Sequence, residues 1–271
     1  MPLIQFMEAL GNNFVIIDAV TQDFNFDKKL IKKLVNNDEY PVFDQILIIE
    51  PPKSESADFS IRIYNIDGSE AENCVNGMRC VAKYLCDQKI SVNNKIKLLV
   101  KNNLLSVEKI NDEFVVENPF SFVPDNIGLK NESHIFSLNK DDQKVECFGV
   151  AVGNPHAVIF NDELKLDVEL FGNFLQESNI FKNGVNVGFV EVINPDEINL
   201  RVYERGVGET QACGSGACAA AVACALSKEM KSEIKINFHQ GQVLTRVDVE
   251  NSKVFLIGKA NYRKENVILE N

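Results

Sequence analysis

Two segments of the chain repeat each other, and this repeat limits the folds that the sequence can adopt. Residues 61–77 align without a gap with residues 200–216, and both segments carry Arg, Tyr, Glu, Cys and Gly at matching positions. The repeated cysteines are Cys74 and Cys213. A second matching pair lies upstream of each segment, at residues 11–17 and 153–159. A repeat of about half the chain length predicts two similar domains rather than a solenoid.

Local patterns predict the elements of each domain. Short runs rich in β-branched residues and bounded by turn residues predict strands at residues 14–17, 46–49, 61–64, 96–100 and 243–247. Apolar residues at helical spacing predict helices at residues 27–35 and directly after Cys74. The small apolar run at residues 217–226 predicts a helix buried on every side.

These elements predict an α+β fold. We expect two pseudo-symmetric domains related by internal duplication, each with curved strands around a central helix, and an active site in the cleft between them. The predicted domains are residues 1–116, completed by residues 262–271, and residues 117–261.

Composition restricts the class of protein. The 271 residues are 45% hydrophobic and 25% charged, as in soluble globular proteins, and no apolar run is long enough for a membrane helix. The N-terminus shows no signal-peptide pattern, so we expect a cytoplasmic protein with no membrane partner. The net charge of −11 argues against nucleic acid as a partner, because phosphate binding requires Lys and Arg.

The cysteines form neither a disulfide framework nor a metal site in this interpretation. There are seven, an odd number, with no CxxC pair, and the chain has three histidines. We expect five of them to be small buried hydrophobic residues, namely Cys80, Cys86, Cys147, Cys218 and Cys224.

The two repeated cysteines are the candidates for chemistry, because each precedes a predicted helix. A helix N-terminus has unpaired N–H groups and the positive end of the helix dipole, so it binds carboxylates and favours a thiolate over a thiol, whose usual pKa is about 8.5. Two such sites facing each other would place a sulfur on either side of one α-carbon. One thiolate removes the proton and the opposite thiol returns one, which inverts the carbon without an electron-sink cofactor.

Two longer segments carry a family resemblance. Residues 72–80 (Glu-Asn-Cys-Val-Asn-Gly-Met-Arg-Cys) and the cysteine-containing segment 204–219 resemble the two signatures of diaminopimelate epimerases. Other family segments follow in the family's order at residues 11–14, 43–45, 65–69, 153–156 and 183–186. The resemblance implies an isomerase, free of cofactor and metal, that interconverts LL- and meso-2,6-diaminopimelate in lysine and peptidoglycan-precursor synthesis. It also implies a homodimer, with a small amino acid as the bound partner.

The resemblance further implies a role for individual residues. Cys74 and Cys213 would be the acid/base pair, Glu204 and Arg205 would hold the distal amino-acid end, and His156 and Glu204 would orient groups around the thiols. The implied substrate-binding residues are Asn12, Gln45, Asn65, Val75, Asn76, Asn154, Asn186, Glu204, Arg205, Gly214 and Ser215. The chain departs from the family at two positions, with Val75 where Gly is usual and Asn13 where Asp is usual.

Three alternatives remain open on sequence alone. A racemase for another amino acid, such as histidine, is disfavoured because its substrate has no distal end for Glu204 and Arg205. An isomerase of the phenazine-biosynthesis type is disfavoured because such proteins lack the cysteine pair. A binding module without catalysis would be excluded by solvent-derived deuterium at the substrate α-carbon.

Overall fold

The strands of the structure follow the internal repeat. The structure, a computed structural model, describes residues 2–24, 26–71, 73–140, 143–161, 165–227 and 230–269. In chain order its elements are β1 (Leu3–Ala9), β2 (Asn12–Asp18), α1 (Lys29–Val35), β3 (Gln45–Glu50), β4 (Phe59–Asn65), α2 (Val75–Asp87), β5 (Lys95–Val100), β6 (Asn103–Ile110), β7 (Glu113–Pro119), α3 (Pro124–Ile127), β8 (Ile135–Lys140), β9 (Gln143–Ala151), β10 (Pro155–Phe160), α4 (Val168–Glu177), β11 (Asn186–Asn194), β12 (Glu197–Glu204), β13 (Gly208–Thr210), α5 (Gly214–Ser227), β14 (Glu233–Phe238), β15 (Gly241–Asp248), β16 (Lys253–Gly258) and β17 (Asn261–Ile268).

The chain divides into two units that pair their strands in the same way. Unit 1 comprises Met1–Val116 with Gly258–Asn271, and unit 2 comprises Glu117–Ile257. In unit 1 the pairings from β1 through β6 alternate: β1–β2 is antiparallel, β2–β3 parallel, β3–β4 antiparallel, β4–β5 parallel and β5–β6 antiparallel. Unit 2 repeats this alternation with β9, β10, β11, β12, β14 and β15. The predicted α+β fold of two domains related by duplication is therefore confirmed.

One buried helix lies against the strands of each unit. In unit 1, α2 packs against β1, β2, β3 and β6, and it keeps Lys83 and Asp87 on its outer side. In unit 2, α5 packs against β9, β10, β11, β12 and β15, and every residue from Gly214 to Cys224 is buried. Because the side chains of α5 are mostly Gly, Ala, Ser and Cys, strands can approach it closely on several sides.

The predicted secondary structure agrees with the described elements. The strand predictions fall within β2, β3, β4, β5 and β15, and helices follow both cysteines as expected. Helix α1 begins at Lys29 rather than at Asp27. The C-terminal strand β17 pairs antiparallel with β1, which places residues 261–268 in unit 1. No helix in the described parts of the chain has the length and apolar character that crossing a membrane requires.

A glycine in unit 2 is required by close packing on Tyr203. Gly172 lies in α4, and a Cβ atom at this position would lie 2.3 Å from Cγ of Tyr203. The Tyr203 ring is buried and its hydroxyl donates to Asn173 Oδ1 at 2.6 Å, so the ring has little freedom to move. The closeness of Tyr203 explains why a helix interior keeps a residue of low helix propensity.

We expect Gly172→Ala to lower the free energy of unfolding by about 1–3 kcal/mol, because the added methyl group overpacks this contact. Urea denaturation followed by circular dichroism measures the loss. Gly188→Ala in β11 is the matched control, since its Cβ would lie at an ordinary 3.4 Å from Leu200 Cδ1. Equal stability of the two variants would contradict the packing argument.

Candidate active site

Cys74 caps the start of helix α2. It is the residue before the helix, and its Sγ accepts a hydrogen bond from the Gly77 N–H at 3.4 Å. A Cβ atom on Gly77 would lie 3.1 Å from this sulfur and 2.7 Å from Leu47 Cδ1. A glycine is therefore needed for the sulfur to lie over the first turn.

Cys213 has the same local geometry at the start of helix α5. Its Sγ accepts from the Gly216 N–H at 3.4 Å and lies 3.5 Å from Ser215 Oγ. A Cβ atom on Gly216 would lie 3.4 Å from the sulfur and 3.2 Å from Cys213 Cβ. The two units thus place their repeated cysteines in equivalent positions, each beside the unpaired N–H groups of a helix start.

The environment of Cys213 contradicts the expected lowering of its thiol pKa. The helix start predicts a lowered thiol pKa, but burial raises the pKa of Cys213 well above its ordinary value, and the nearby Glu204 carboxylate raises it further. The hydrogen bonds from Ser215 and the Gly216 N–H act in the opposite direction and are outweighed. Cys213 is therefore a thiol at neutral pH in this structure.

The side-chain amides of unit 1 form two hydrogen-bonded pairs. Asn76 Nδ2 donates to Asn12 Oδ1 at 2.7 Å, and Gln45 Nε2 donates to Asn65 Oδ1 at 2.9 Å. Asn12 and Gln45 begin the parallel strands β2 and β3, and Asn65 ends the antiparallel strand β4, so all three lie at one edge of the sheet. Asn65 Nδ2 also donates to Ser69 Oγ at 2.9 Å.

The two departures from the family pattern fit the structure of unit 1. Val75 is the first residue of α2, and a β-branched residue can adopt the helical backbone conformation at this position. Asn13 Oδ1 accepts a hydrogen bond from Arg263 Nη1 at 2.7 Å, and Asn13 Nδ2 donates to the Gly11 carbonyl. Glu72 of the first signature lies outside the described residues.

His156 and Asn154 form a pair in unit 2. His156 Nε2 lies 2.9 Å from Asn154 Oδ1, and the ring is only 1% exposed. Burial lowers the pKa of His156 to about 3, with a further lowering from the positive charge of Arg205. The imidazole is therefore neutral at physiological pH.

Asn186 and Arg205 are held together next to this pair. Asn186 Oδ1 accepts from the Arg205 backbone N–H at 2.9 Å, and Arg205 Nη1 donates to the Asn183 carbonyl at 2.8 Å. Gly184 has a φ of +74°, and a Cβ there would lie 2.9 Å from Arg205 Cδ. Gly184 therefore gives room to the Arg205 side chain.

Glu204 lies beside Cys213, and a hydrogen bond from Thr210 holds its carboxylate. Its Oε1 accepts from Thr210 Oγ1 at 2.6 Å, and its charge raises the pKa of the Cys213 thiol. Sequence reasoning did not assign a role to Thr210 or Gly184, although both lie in or next to segments that resemble the family. A residue that holds another side chain leaves no pattern of its own in a single sequence.

The structure thus groups the sequence-predicted residues within each unit. Unit 1 gathers Asn12, Gln45, Asn65, Cys74, Val75 and Asn76, and unit 2 gathers Asn154, His156, Asn186, Glu204, Arg205, Cys213, Gly214 and Ser215. Their catalytic and binding roles stay predictions. Among the described residues, no three His, Cys, Asp or Glu side chains are close enough to hold a metal ion together.

Comparison with known proteins identifies the family. A family model described as diaminopimelate epimerase matches residues 5–118 and 148–263. A diaminopimelate epimerase of Blochmanniella pennsylvanica (strain BPEN) is 36% identical over 263 residues, which cover 94% of this chain and 95% of the relative. One of Stutzerimonas stutzeri (strain A1501) is 38% identical over 259 residues, with 94% of each chain covered.

A solved structure shares the fold at low sequence identity. The crystal structure of a probable proline racemase from Agrobacterium radiobacter K84 has a TM-score of 0.73 at 10% identity, and the match covers 100% of this chain and 94% of that one. This likeness concerns the fold alone. The matched family segments include both cysteine signatures, so this chain is an isomerase that belongs to the diaminopimelate epimerase family.

Proposed function

We propose that this chain interconverts LL- and meso-2,6-diaminopimelate, with Cys74 and Cys213 as the two bases. The observation that carries the proposal is the equivalent placement of the two sulfurs, each over the first turn of the buried helix of its unit. The two relatives, both diaminopimelate epimerases, support the substrate. The proposed domains are residues 1–116 with 262–271 and residues 117–261, and each would contribute one sulfur to the reaction.

The proposed reaction moves one proton off the α-carbon and another onto it. The Cys74 thiolate breaks the C–H bond and forms S–H, and the Cys213 thiol gives its proton to the opposite face of the carbanion. The raised pKa of Cys213 supports its assignment as the acid, because it keeps that proton at neutral pH. Cys74 is then the base by exclusion. The reverse reaction exchanges the two roles.

Negative charge that develops on the substrate carboxylate requires hydrogen-bond donors. The N–H groups of Val75 and Asn76 begin α2, and those of Gly214 and Ser215 begin α5. N–H groups at a helix start have no partner within the helix and lie at the positive end of its dipole. The two cysteines would exchange the protons and the helix N–H groups would stabilise the carboxylate charge. The proposed mechanism therefore needs neither pyridoxal phosphate nor a metal.

The remaining residues would position and select the substrate. His156 is neutral and hydrogen-bonded to Asn154, so it would orient that amide rather than carry charge. Glu204 and Arg205 would bind the distal ammonium and carboxylate. Asn12, Gln45, Asn65 and Asn186 would complete the pocket. The family resemblance extends the proposal to lysine and peptidoglycan-precursor synthesis in the cytoplasm, by a homodimer.

The decisive experiment is incubation with LL-diaminopimelate in deuterium oxide. The proposal requires that the meso product carry one solvent deuterium at the inverted carbon, as seen by NMR and mass spectrometry. Lysine and histidine serve as comparison substrates without a distal amino-acid end. Turnover of either as fast as diaminopimelate would refute the substrate assignment.

We expect Cys74→Ala and Cys213→Ala each to lower kcat by about 10²–10⁴-fold, because inversion requires a proton donor or acceptor on each face. The deuterium assay measures the loss, and circular dichroism tests the fold. Cys86→Ala on α2 is the control, since this half-buried cysteine has no part in the proposed reaction. Near-wild-type turnover by either of the first two variants would disprove the two-base assignment.

We expect alkylation of Cys213 by iodoacetamide to begin only at alkaline pH. Its pKa is raised, so the reactive thiolate forms above the ordinary thiol range of about 8.5. Glu204→Gln removes a charge that raises this pKa and should move the alkylation profile to lower pH. Mass spectrometry of the Cys213 peptide from pH 6 to pH 10, in roughly half-unit steps, measures the profile. A plateau of the wild-type rate already near pH 7 would contradict the assignment of Cys213 as the resting thiol.

We expect Arg205→Ala to lower kcat/KM for diaminopimelate by about 100-fold, because a charged group of the bound substrate loses its partner. Arg201→Ala is the matched control. Arg201 lies in β12, which ends at the residue before Arg205, and it is paired with Glu209 at a partly exposed site, so its loss should change kcat/KM little. Equal effects of the two substitutions would show that Arg205 has no special role in recognition.

A further inference from the structure

We propose that Arg79 is a positioning residue that sets the direction of a hydrogen-bond relay through Asn76 to Asn12. The relay turns the NH2 group of Asn12 toward the substrate. This inference rests on the proposed function, because it takes Asn12 to contact the substrate.

Arg79 is held rigidly inside unit 1. Its side chain is 2% exposed. The guanidinium donates from Nη2 to Asn76 Oδ1 at 2.6 Å and from Nη1 to the Lys259 carbonyl at 3.0 Å. Lys259 belongs to the C-terminal segment of unit 1, so Arg79 is fixed from two separate parts of the chain.

The guanidinium determines which way each amide points. Arginine has N–H donors and no acceptor, so the group of Asn76 that faces it must be the carbonyl oxygen. Asn76 therefore turns its NH2 group to Asn12 Oδ1, at 2.7 Å. Asn12 in turn has its oxygen occupied and keeps its NH2 group for another acceptor. Since Asn12 is only partly buried, that acceptor can be a carboxylate oxygen of a bound amino acid.

In unit 2 the equivalent asparagine also has its amide oxygen occupied, but by a different kind of residue. Asn154 is the repeat equivalent of Asn12, and its Oδ1 is paired with His156 Nε2. A neutral His156 that donates from Nε2 again leaves the Asn154 NH2 group available. Among the residues that the structure describes, no hydrogen bond uses Nδ2 of either asparagine. The two equivalent asparagines thus have their amide oxygens occupied by unrelated donors from different elements, which indicates that occupying this oxygen matters to the site.

The repeat also shows that Arg79 is not needed by the fold as such. Cys218 stands at the equivalent position of α5, and Ser215 stands at the position of Asn76. Both helices are buried in their units, so a small apolar residue is compatible with the helix position. The presence of Arg79 is therefore best explained by its hydrogen bond to Asn76 rather than by the packing of the helix.

A double-mutant cycle tests the relay. Arg79→Met removes the donors and keeps the length of the side chain, and we expect it to lower kcat/KM for diaminopimelate about tenfold or more. Asn12→Ala should lower it by a similar factor. The double variant should be within about threefold of Asn12→Ala alone, because Arg79 acts through Asn12. A double variant whose loss of kcat/KM is the product of the two single losses would overturn the proposal. An Arg79→Met variant with kcat/KM within threefold of the wild type would also overturn it.

Further variants separate the relay from general stability. Lys83→Met makes the same change on the outer side of α2 and should keep wild-type kcat/KM. Arg79→Lys keeps a donor-only cation and should recover part of the activity lost in Arg79→Met. If Arg79→Met does not fold, Asn76→Asp replaces it: the carboxylate still accepts from Arg79 but cannot donate to Asn12. Undiminished activity of Asn76→Asp would then refute the relay.

The relay and the proposed function fail in different ways. A wild-type protein that incorporates no solvent deuterium into diaminopimelate refutes the function. A wild-type protein that does so, with Arg79→Met unimpaired, refutes the relay alone.

Discussion

The burial of one helix in each unit determines where the candidate chemistry lies. A helix surrounded by strands presents its unpaired N–H groups only at its first turn, and in both units that turn follows the repeated cysteine. Small residues make this burial possible in α5, where an apolar side chain longer than valine occurs only near the end of the helix. A glycine stands at the third position of each helix, where a Cβ atom would lie 3.1 Å from the sulfur at Gly77 and 3.2 Å from Cys213 Cβ at Gly216. Packing thus fixes the position of the sulfurs.

The two units keep this geometry but support it with different side chains. Around Cys74 the supporting groups are amides and a buried guanidinium, and the fully buried Arg79 brings a positive charge. Beside Cys213 they are a hydroxyl and the carboxylate of Glu204, and the neutral imidazole of His156 in the same unit pairs with Asn154. Duplication explains the shared backbone arrangement, while the differences give the two thiols unequal environments. An unequal pair suits a reaction in which one sulfur must hold a proton while the other lacks it.

The sequence predicted the backbone arrangement better than it predicted the electrostatics. The repeat, the strand runs and the helices after Cys74 and Cys213 depend on local patterns, and the structure confirms them. The pKa of Cys213 depends on its depth in the unit and on Glu204, which lies beside it only through the turn between β12 and β13. Likewise, Arg79 belongs to a recognisable segment, but its contact with Lys259 joins residues far apart in the chain. Such contacts have no periodic signal, so a single sequence does not reveal them.

The opposing effects at Cys213 connect substrate recognition to reactivity under the proposed function. A buried thiol beside a carboxylate resists ionisation, so proton transfer from Cys213 is unfavourable while Glu204 keeps its full charge. A distal ammonium bound to Glu204 would offset that charge and lower the free energy of the Cys213 thiolate. An amino acid without a second ammonium would not offset the charge of Glu204, and the thiol would stay protonated. The same Glu204 would then select the substrate and permit the proton transfer, and this gives a physical reason for a charged residue to lie next to the acid of the reaction.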